Sequence, residues 1–183
     1  MSPKKSIQSP VLKIVNTVWK GDVFSPISLD KLNIACEYGV TTVKHQKTQP
    51  EQYIIKFDNA STMLIFKSGK FRVMGKGDQS AAILNILGVV CLFTDAIPSI
   101  SLQTMTGVYG YNRKINLSKL VEAADGFLDL ENFPAVQIRK FKPIHVNVFS
   151  SGCVTICGLK DIDNGNIIKN YLDSIIYNCF VLE

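Results

Sequence analysis

Residues 66–75, Phe-Lys-Ser-Gly-Lys-Phe-Arg-Val-Met-Gly, return 83 positions later as residues 149–158, Phe-Ser-Ser-Gly-Cys-Val-Thr-Ile-Cys-Gly. At that offset Phe66/Phe149, Ser68/Ser151, Gly69/Gly152, Gly75/Gly158 and, just beyond, Asp78/Asp161 are identical. Upstream, Ile-Ser-Leu-Asp-Lys-Leu at 27–32 returns as Ile-Asn-Leu-Ser-Lys-Leu at 115–120, an offset of 88. A few residues of insertion or deletion therefore separate the two anchors. Two matches in the same order point to an internal duplication. The chain divides into a short tail (1–10), a first repeat (11–95) and a second repeat (96–183).

Each repeat reads as strand, helix, several strands, helix. The segment 27–39 carries Leu29, Leu32 and Cys36 at helical spacing, with Ser28 placed to cap and Gly39 to stop it. The segment 116–126 repeats the design with Leu117, Leu120, Val121 and Ala124. Closing helices are expected to start near Asp78 and Asp161. Ala82, Ile83, Ile86, Leu87 and Val90 line one face of the first, and Ile168, Tyr171, Leu172, Ile175 and Cys179 line the second.

Between the helices the apolar period is two, so side chains sort onto two faces of a sheet. Met63, Ile65, Phe71 and Val73 form one set and face the helices. Leu64, Phe66, Arg72 and Met74 form the other. In the second repeat Val146, Val148, Val154 and Ile156 face the helices, while His145, Asn147, Phe149, Thr155 and Cys157 face away. Ser-Gly in each hairpin supplies the turn residue that accepts positive φ. The face opposite the helices has nothing left to cover it, and an uncovered sheet face bearing aromatics reads as a binding surface.

Composition narrows the function classes. The chain has 183 residues, of which 46% are hydrophobic and 19% charged, enough to build a packed interior. Its longest strongly apolar stretch, 81–93, is too short to span a bilayer, and no secretory leader opens the sequence, so no membrane is expected as partner. The formal charge of +5 permits a phosphate backbone as partner without demanding one. Five cysteines, with no Cys-x-x-Cys pair, indicate neither a disulfide framework nor a zinc knuckle. Cys153 and Cys157 share one strand face but have no second pair of ligands. His45 and His145 have no carboxylate or cysteine at a catalytic spacing, and neither a nucleophile elbow nor a phosphate-cradling glycine loop is present. The reading is therefore a binding protein without metal or cofactor, not an enzyme.

The ordered motifs resemble the core of the TATA-box-binding protein family. They are the two Phe-x-Ser-Gly hairpins, the strand Phe133-Pro-Ala-Val-Gln-Ile-Arg139, and the leading strands Leu12-Lys-Ile-Val15 and Gln103-Thr-Met-Thr106. The resemblance covers residues 11–180. It implies an α+β saddle: ten antiparallel strands in a curved sheet, helices on the convex side, and a concave underside laid on a widened minor groove. In that family phenylalanine pairs wedge between base steps and kink the duplex, and steps containing TA unstack most cheaply.

Transferred by position, the wedges are Phe133 and Phe149 in the second repeat and Phe66 in the first. The rest of the DNA face is Lys13, Val15, Leu64, Arg72, Met74, Thr104, Thr106, His145, Asn147, Thr155 and Cys157. Lys70, Arg139 and Lys160 match phosphate contacts. Asp129 and Glu131 match acidic residues that dock the B-type general transcription factor. The implied function is a transcription initiation factor that binds double-stranded, A-T-rich DNA and recruits the RNA polymerase machinery, in a nucleus or at a viral transcription site.

Several positions depart from the family pattern. No aromatic stands near 49–52, where a first-repeat counterpart of Phe133 belongs, and Tyr53 would need a register shift to serve. Lys13 and Thr104 replace the two central asparagines. Arg72, His145 and Asn147 replace small or apolar residues, and Cys153 replaces a lysine. A second expectation follows from these: a protein-interaction scaffold within a transcription assembly, with weak or no sequence-specific DNA binding.

Overall fold

The computed structural model describes residues 10–25, 38–47, 49–76, 80–92, 94 and 97–181. Residues 1–9 of the expected tail, residues 27–37 of the helix segment expected over 27–39 and the helix start expected at Asp78 lie outside the described residues. The chain forms an α+β structure with a ten-stranded antiparallel sheet. Its strands are β1 (Lys13–Asp22), β2 (Val40–Gln46), β3 (Gln52–Phe57), β4 (Thr62–Phe66), β5 (Lys70–Gly75), β6 (Ser99–Gly110), β7 (Gly126–Asp129), β8 (Phe133–Ile138), β9 (His145–Phe149) and β10 (Cys153–Leu159). Their order is β2-β3-β4-β5-β1-β6-β10-β9-β8-β7. The helices are α1 (Ser80–Cys91), α2 (Leu117–Ala124) and α3 (Ile162–Ile176). Contacts divide the chain into two compact units, one of residues 14–105 and one of residues 1–13 with 106–183.

In the unit of residues 14–105, alternation along β3, β4 and β5 drives Tyr53, Ile55, Phe57, Met63, Ile65, Phe71 and Val73 into one core, all at 4% exposure or less. Ile86, Val89 and Val90 of α1 close that core from the helix side. Burying an aliphatic side chain of this kind contributes about 1.5–3 kcal/mol before entropy is charged against it. Tyr53 belongs to this buried set and so faces away from the open side of the sheet.

The unit of residues 106–183 uses the same plan. Val146, Val148, Val154 and Ile156 are buried against Leu120 and Ala124 of α2 and Ile168, Leu172 and Ile176 of α3. Asn116 caps α2, its side chain accepting from the Lys119 amide at 3.1 Å, and Asp125 in the left-handed region ends it. Asp161 caps α3 by accepting from the Asn164 amide at 2.7 Å, which satisfies one of the orphan donors of the first turn. Beneath α3, the Tyr111 hydroxyl donates to Asp173 at 2.7 Å and the Lys169 ammonium donates to the same carboxylate at 2.6 Å. Burial, with the neighbouring Tyr109 and Asp173, pushes the Tyr111 hydroxyl well above its ordinary range, so it stays a donor.

The repeated hairpins match atom for atom where it matters. The Gly69 amide donates to the Phe66 carbonyl and the Gly152 amide to the Phe149 carbonyl, both at 2.9 Å. Both glycines adopt positive φ, +90° and +89°. Each glycine carbonyl then accepts from the end of its own leading strand, Gly69 from Val23 and Gly152 from Tyr111, both at 3.1 Å. A side chain at either glycine would collide with a backbone oxygen, of Ser25 or of Arg113. The outermost strands differ in character: β2 is exposed along nearly its whole length and shifts register between Val40 and Thr42, while β7 has four residues and shifts at Leu128/Asp129.

Because φ is positive and the space is filled, Gly152→Ala is expected to destabilise the chain by about 2 kcal/mol or more. Gly110→Ala, where the nearest atom is 3.9 Å away, is expected to stay within about 0.5 kcal/mol of wild type. Urea denaturation of the two variants checks the contrast.

Candidate nucleic-acid interface

The open side of each half is defined by strand register. In the first half Phe66 stands opposite Gln52, Leu64 opposite both Ile54 and Arg72, and Thr62 opposite Met74. Residues directly opposite share a face. This face therefore carries Gln52, Ile54, Thr62, Leu64, Phe66, Arg72 and Met74, none of them in the buried set. The β1 register extends it: Val18 lies opposite Met74, Lys20 opposite Arg72 and Asp22 opposite Lys70.

In the second half Phe149 stands opposite Ala135 and Asn147 opposite both Gln137 and Thr155. Cys157 stands opposite His145. The Asn147 amide donates to the Thr155 hydroxyl at 3.3 Å. Phe133, two residues before Ala135, reaches diagonally to Phe149, and the rings meet edge to face at 5.8 Å between centroids. Both rings are half-buried. They form a paired apolar plate on the open side of this half.

The same register locates the first-half counterpart of Phe133. Gln52 opposes Phe66 as Ala135 opposes Phe149, so the residue two before it, Pro50, takes the diagonal place. Pro50, Phe66 and Lys70 line a cleft of about 610 Å³ with Lys20, Arg72 and Glu51. Glu51 lies 2.8 Å from the His45 ring nitrogen, and this contact, with Lys67 at 3.7 Å, holds its carboxyl below the ordinary range. His45 also stacks on Tyr53, with centroids 4.5 Å apart. The sequence had offered His45 no carboxylate partner, because Glu51 reaches it only across the β2–β3 hairpin.

Other expected residues take varied places. Lys13 is exposed and Val15 is 38% exposed. Leu12, just before β1, and Thr17 within it are both buried although five residues apart, so strict alternation does not run through residues 12–17. Thr104 and Thr106 are half-buried, and the Thr104 hydroxyl has no hydrogen-bond partner among the described residues. Lys70 and Lys160 are exposed. The Arg139 guanidinium lies 4.3 Å above the ring of Phe127, an exposed aromatic that alternation alone had not brought forward. Phe127 opposes Gln137 and so shares the open face. Asp129 accepts from the Asn132 backbone and side-chain amides at 3.3 and 2.8 Å, and these bonds hold its carboxyl below the ordinary range. Glu131 is exposed beside it. Among the described residues no cluster of His, Cys, Asp or Glu could hold a metal ion, and no helix is long and apolar enough to cross a membrane.

These features define a class: a duplicated α+β protein whose sheet is closed by helices on one face and carries aromatics and cations on the other. The sequence model described as transcription factor TFIID, or TATA-binding protein, matches residues 11–89. The TATA-box-binding protein of Methanococcus maripaludis is 27% identical over 172 residues, spanning 88% of this chain and 91% of that protein. The structure of the Methanococcus jannaschii TATA-binding protein shares the fold with a TM-score of 0.72 at 25% identity, covering 91% of this chain and 98% of the other. The chain is thus similar in sequence to TATA-binding proteins, and it shares the fold of one of them. Both relatives are archaeal, and nothing in them supports a viral source.

The face assignment has a direct consequence for stability. Phe71 is 1% exposed in the core, whereas Phe66 points to the open side. Phe71→Ala is expected to cost about 3–5 kcal/mol and Phe66→Ala less than about 1.5 kcal/mol. Chemical denaturation monitored by far-UV circular dichroism distinguishes them.

Proposed function

We propose that the chain is a transcription initiation factor that binds the minor groove of double-stranded, A-T-rich DNA with its open sheet faces, bends the duplex, and recruits further initiation factors. The observation that carries this reading is the edge-to-face pair of Phe133 and Phe149 on the sheet face opposite the buried set of Val146, Val148, Val154 and Ile156. A paired apolar plate replaces base stacking at the step it enters, and the kink it makes lets more protein surface meet the duplex. Phe66 supplies the matching single plate in the first half. Lys13, Val15, Leu64, Arg72, Met74, Thr104, Thr106, His145, Asn147, Thr155 and Cys157 would complete the groove-facing surface. Lys70, Arg139 and Lys160 would meet phosphates, which add affinity without sequence information. The place of action is the DNA itself. Both relatives come from organisms without a nucleus, so a nuclear address does not follow from them.

Docking of a B-type initiation factor at Asp129 and Glu131 belongs to the same proposal. Asp129 is already committed to Asn132 inside its loop, which leaves Glu131 as the carboxylate free to meet a basic partner. The scaffold reading is favoured by one observation, the Asn147–Thr155 hydrogen bond that makes part of the second open face polar. It would be the better description if the chain bound such a factor but no duplex.

Fluorescence energy transfer between the ends of a labelled duplex tests the main reading. Phe149→Ala is expected to reduce both affinity and bend angle more than Phe66→Ala does, because it breaks a paired plate rather than a single one. Normal bending by folded Phe149→Ala protein would refute the wedge. Glu131→Lys is expected to weaken capture of the B-type factor at least about tenfold while leaving binary DNA affinity equal or slightly higher. Loss of both activities together would remove the docking assignment.

A further inference from the structure

The two open faces differ in charge at one cross-strand pair. Lys20 and Arg72 are directly opposite each other, both exposed, and both line the cleft beside Phe66. Neither forms an ion pair among the described residues. The carboxylates that share the cleft are engaged elsewhere: Asp22 accepts from the Phe24 amide at 2.8 Å and lies opposite Lys70, and Glu51 holds His45 and Lys67. The hairpin offset of 83 pairs Arg72 with Thr155, and the offset of 88 between Val23 and Tyr111, whose amides donate to the matching glycine carbonyls, pairs Lys20 with Val108. One half thus places two adjacent, uncompensated cations where the other has an apolar and a hydroxyl side chain. The half with the cations is also the one with Pro50 in place of a second aromatic plate.

We propose that the first half, whose single plate Phe66 kinks the duplex only weakly, recognises an A-tract minor groove through Lys20 and Arg72, while the second half recognises a deformable step with its paired plate. The inference rests on the DNA-binding reading above and gives it a direction. A-tracts are stiff and resist kinking, which suits a half without a paired plate. Their narrow minor groove concentrates negative potential, which draws in an inserted guanidinium or ammonium. Its floor presents only the acceptors adenine N3 and thymine O2, which match donor-only side chains, whereas guanine adds an amino group that blocks them. Arginine suits the place further because its planar, weakly hydrated guanidinium gives up water readily. The protein then binds in one orientation along an asymmetric site.

The test is equilibrium titration of the full chain with fluorescent duplexes whose two halves vary independently. One half is an A-tract, an alternating T-A segment or a G-C segment, and the other half either contains or lacks a TA step. Wild type is expected to bind tightest to an A-tract joined to a TA step. The double variant Lys20→Val with Arg72→Thr, which copies Val108 and Thr155, is expected to lose about tenfold of the preference for A-tract over G-C and to keep its preference for the TA step. Phe149→Ala is expected to do the reverse. Both substituted residues are exposed strand positions, and a thermal melt matching wild type verifies the fold; Arg72→Lys, which retains the charge, should keep part of the A-tract preference. Uniform weakening across all duplexes would make the two cations ordinary phosphate contacts and overturn the inference. So would a wild-type chain that binds duplexes without preferring A-tracts. A wild-type chain that binds no duplex at all would overturn the DNA-binding reading itself.

Discussion

A glycine at positive φ in each hairpin turn holds the register on which both sheet faces depend. With Gly69 and Gly152 in that conformation, β4 and β5, and likewise β9 and β10, meet without a slip, and each glycine carbonyl ties the hairpin to its leading strand. A slip of one residue would exchange the faces completely. Phe66 and Phe149 would enter the core, and Ile65 and Val148 would meet solvent. The core and the open face are therefore one problem with one solution, and the same backbone geometry solves it twice.

That shared constraint explains why much of the fold was legible in the sequence. Period-two alternation separated Met63, Ile65, Phe71 and Val73 from Leu64, Phe66, Arg72 and Met74, and burial follows the same division. Asn116 and Asp161 cap the helices they precede, because a short acceptor side chain before an apolar periodic run is a local signal. What could not be read was long-range pairing. The opposition of Lys20 and Arg72 requires the β1–β5 register, and Pro50 acquires its meaning only from Gln52 facing Phe66. Arg139 stacks on Phe127 across β7 and β8, a contact between strands that spacing along the chain does not encode.

The two halves keep their interiors alike and let their open faces diverge. Interior positions are held to close packing, where a change of one methylene is felt. A position on the open face carries no such demand, so Val108 can stand where the other half has Lys20. Family relationship and fold rest on the parts that diverge least. The open faces are the parts that diverge most, so the 27% identity to an archaeal relative speaks to the shared fold more than to the chemistry of those faces.

The outermost strands bear on a different matter, the behaviour of the protein at high concentration. An open sheet face with exposed aromatics stands beside sheet edges whose unpaired amides and carbonyls could template a neighbouring copy. Here β2 breaks its register at Val40/Thr42 and carries Lys44, and β7 is only four residues long and breaks at Leu128/Asp129. Bulges, a charge and brevity make both edges poor docking strands. The chain can therefore keep a sticky face available to a ligand while resisting strand-by-strand polymerisation, a balance that a flat, regular sheet of the same composition would not hold.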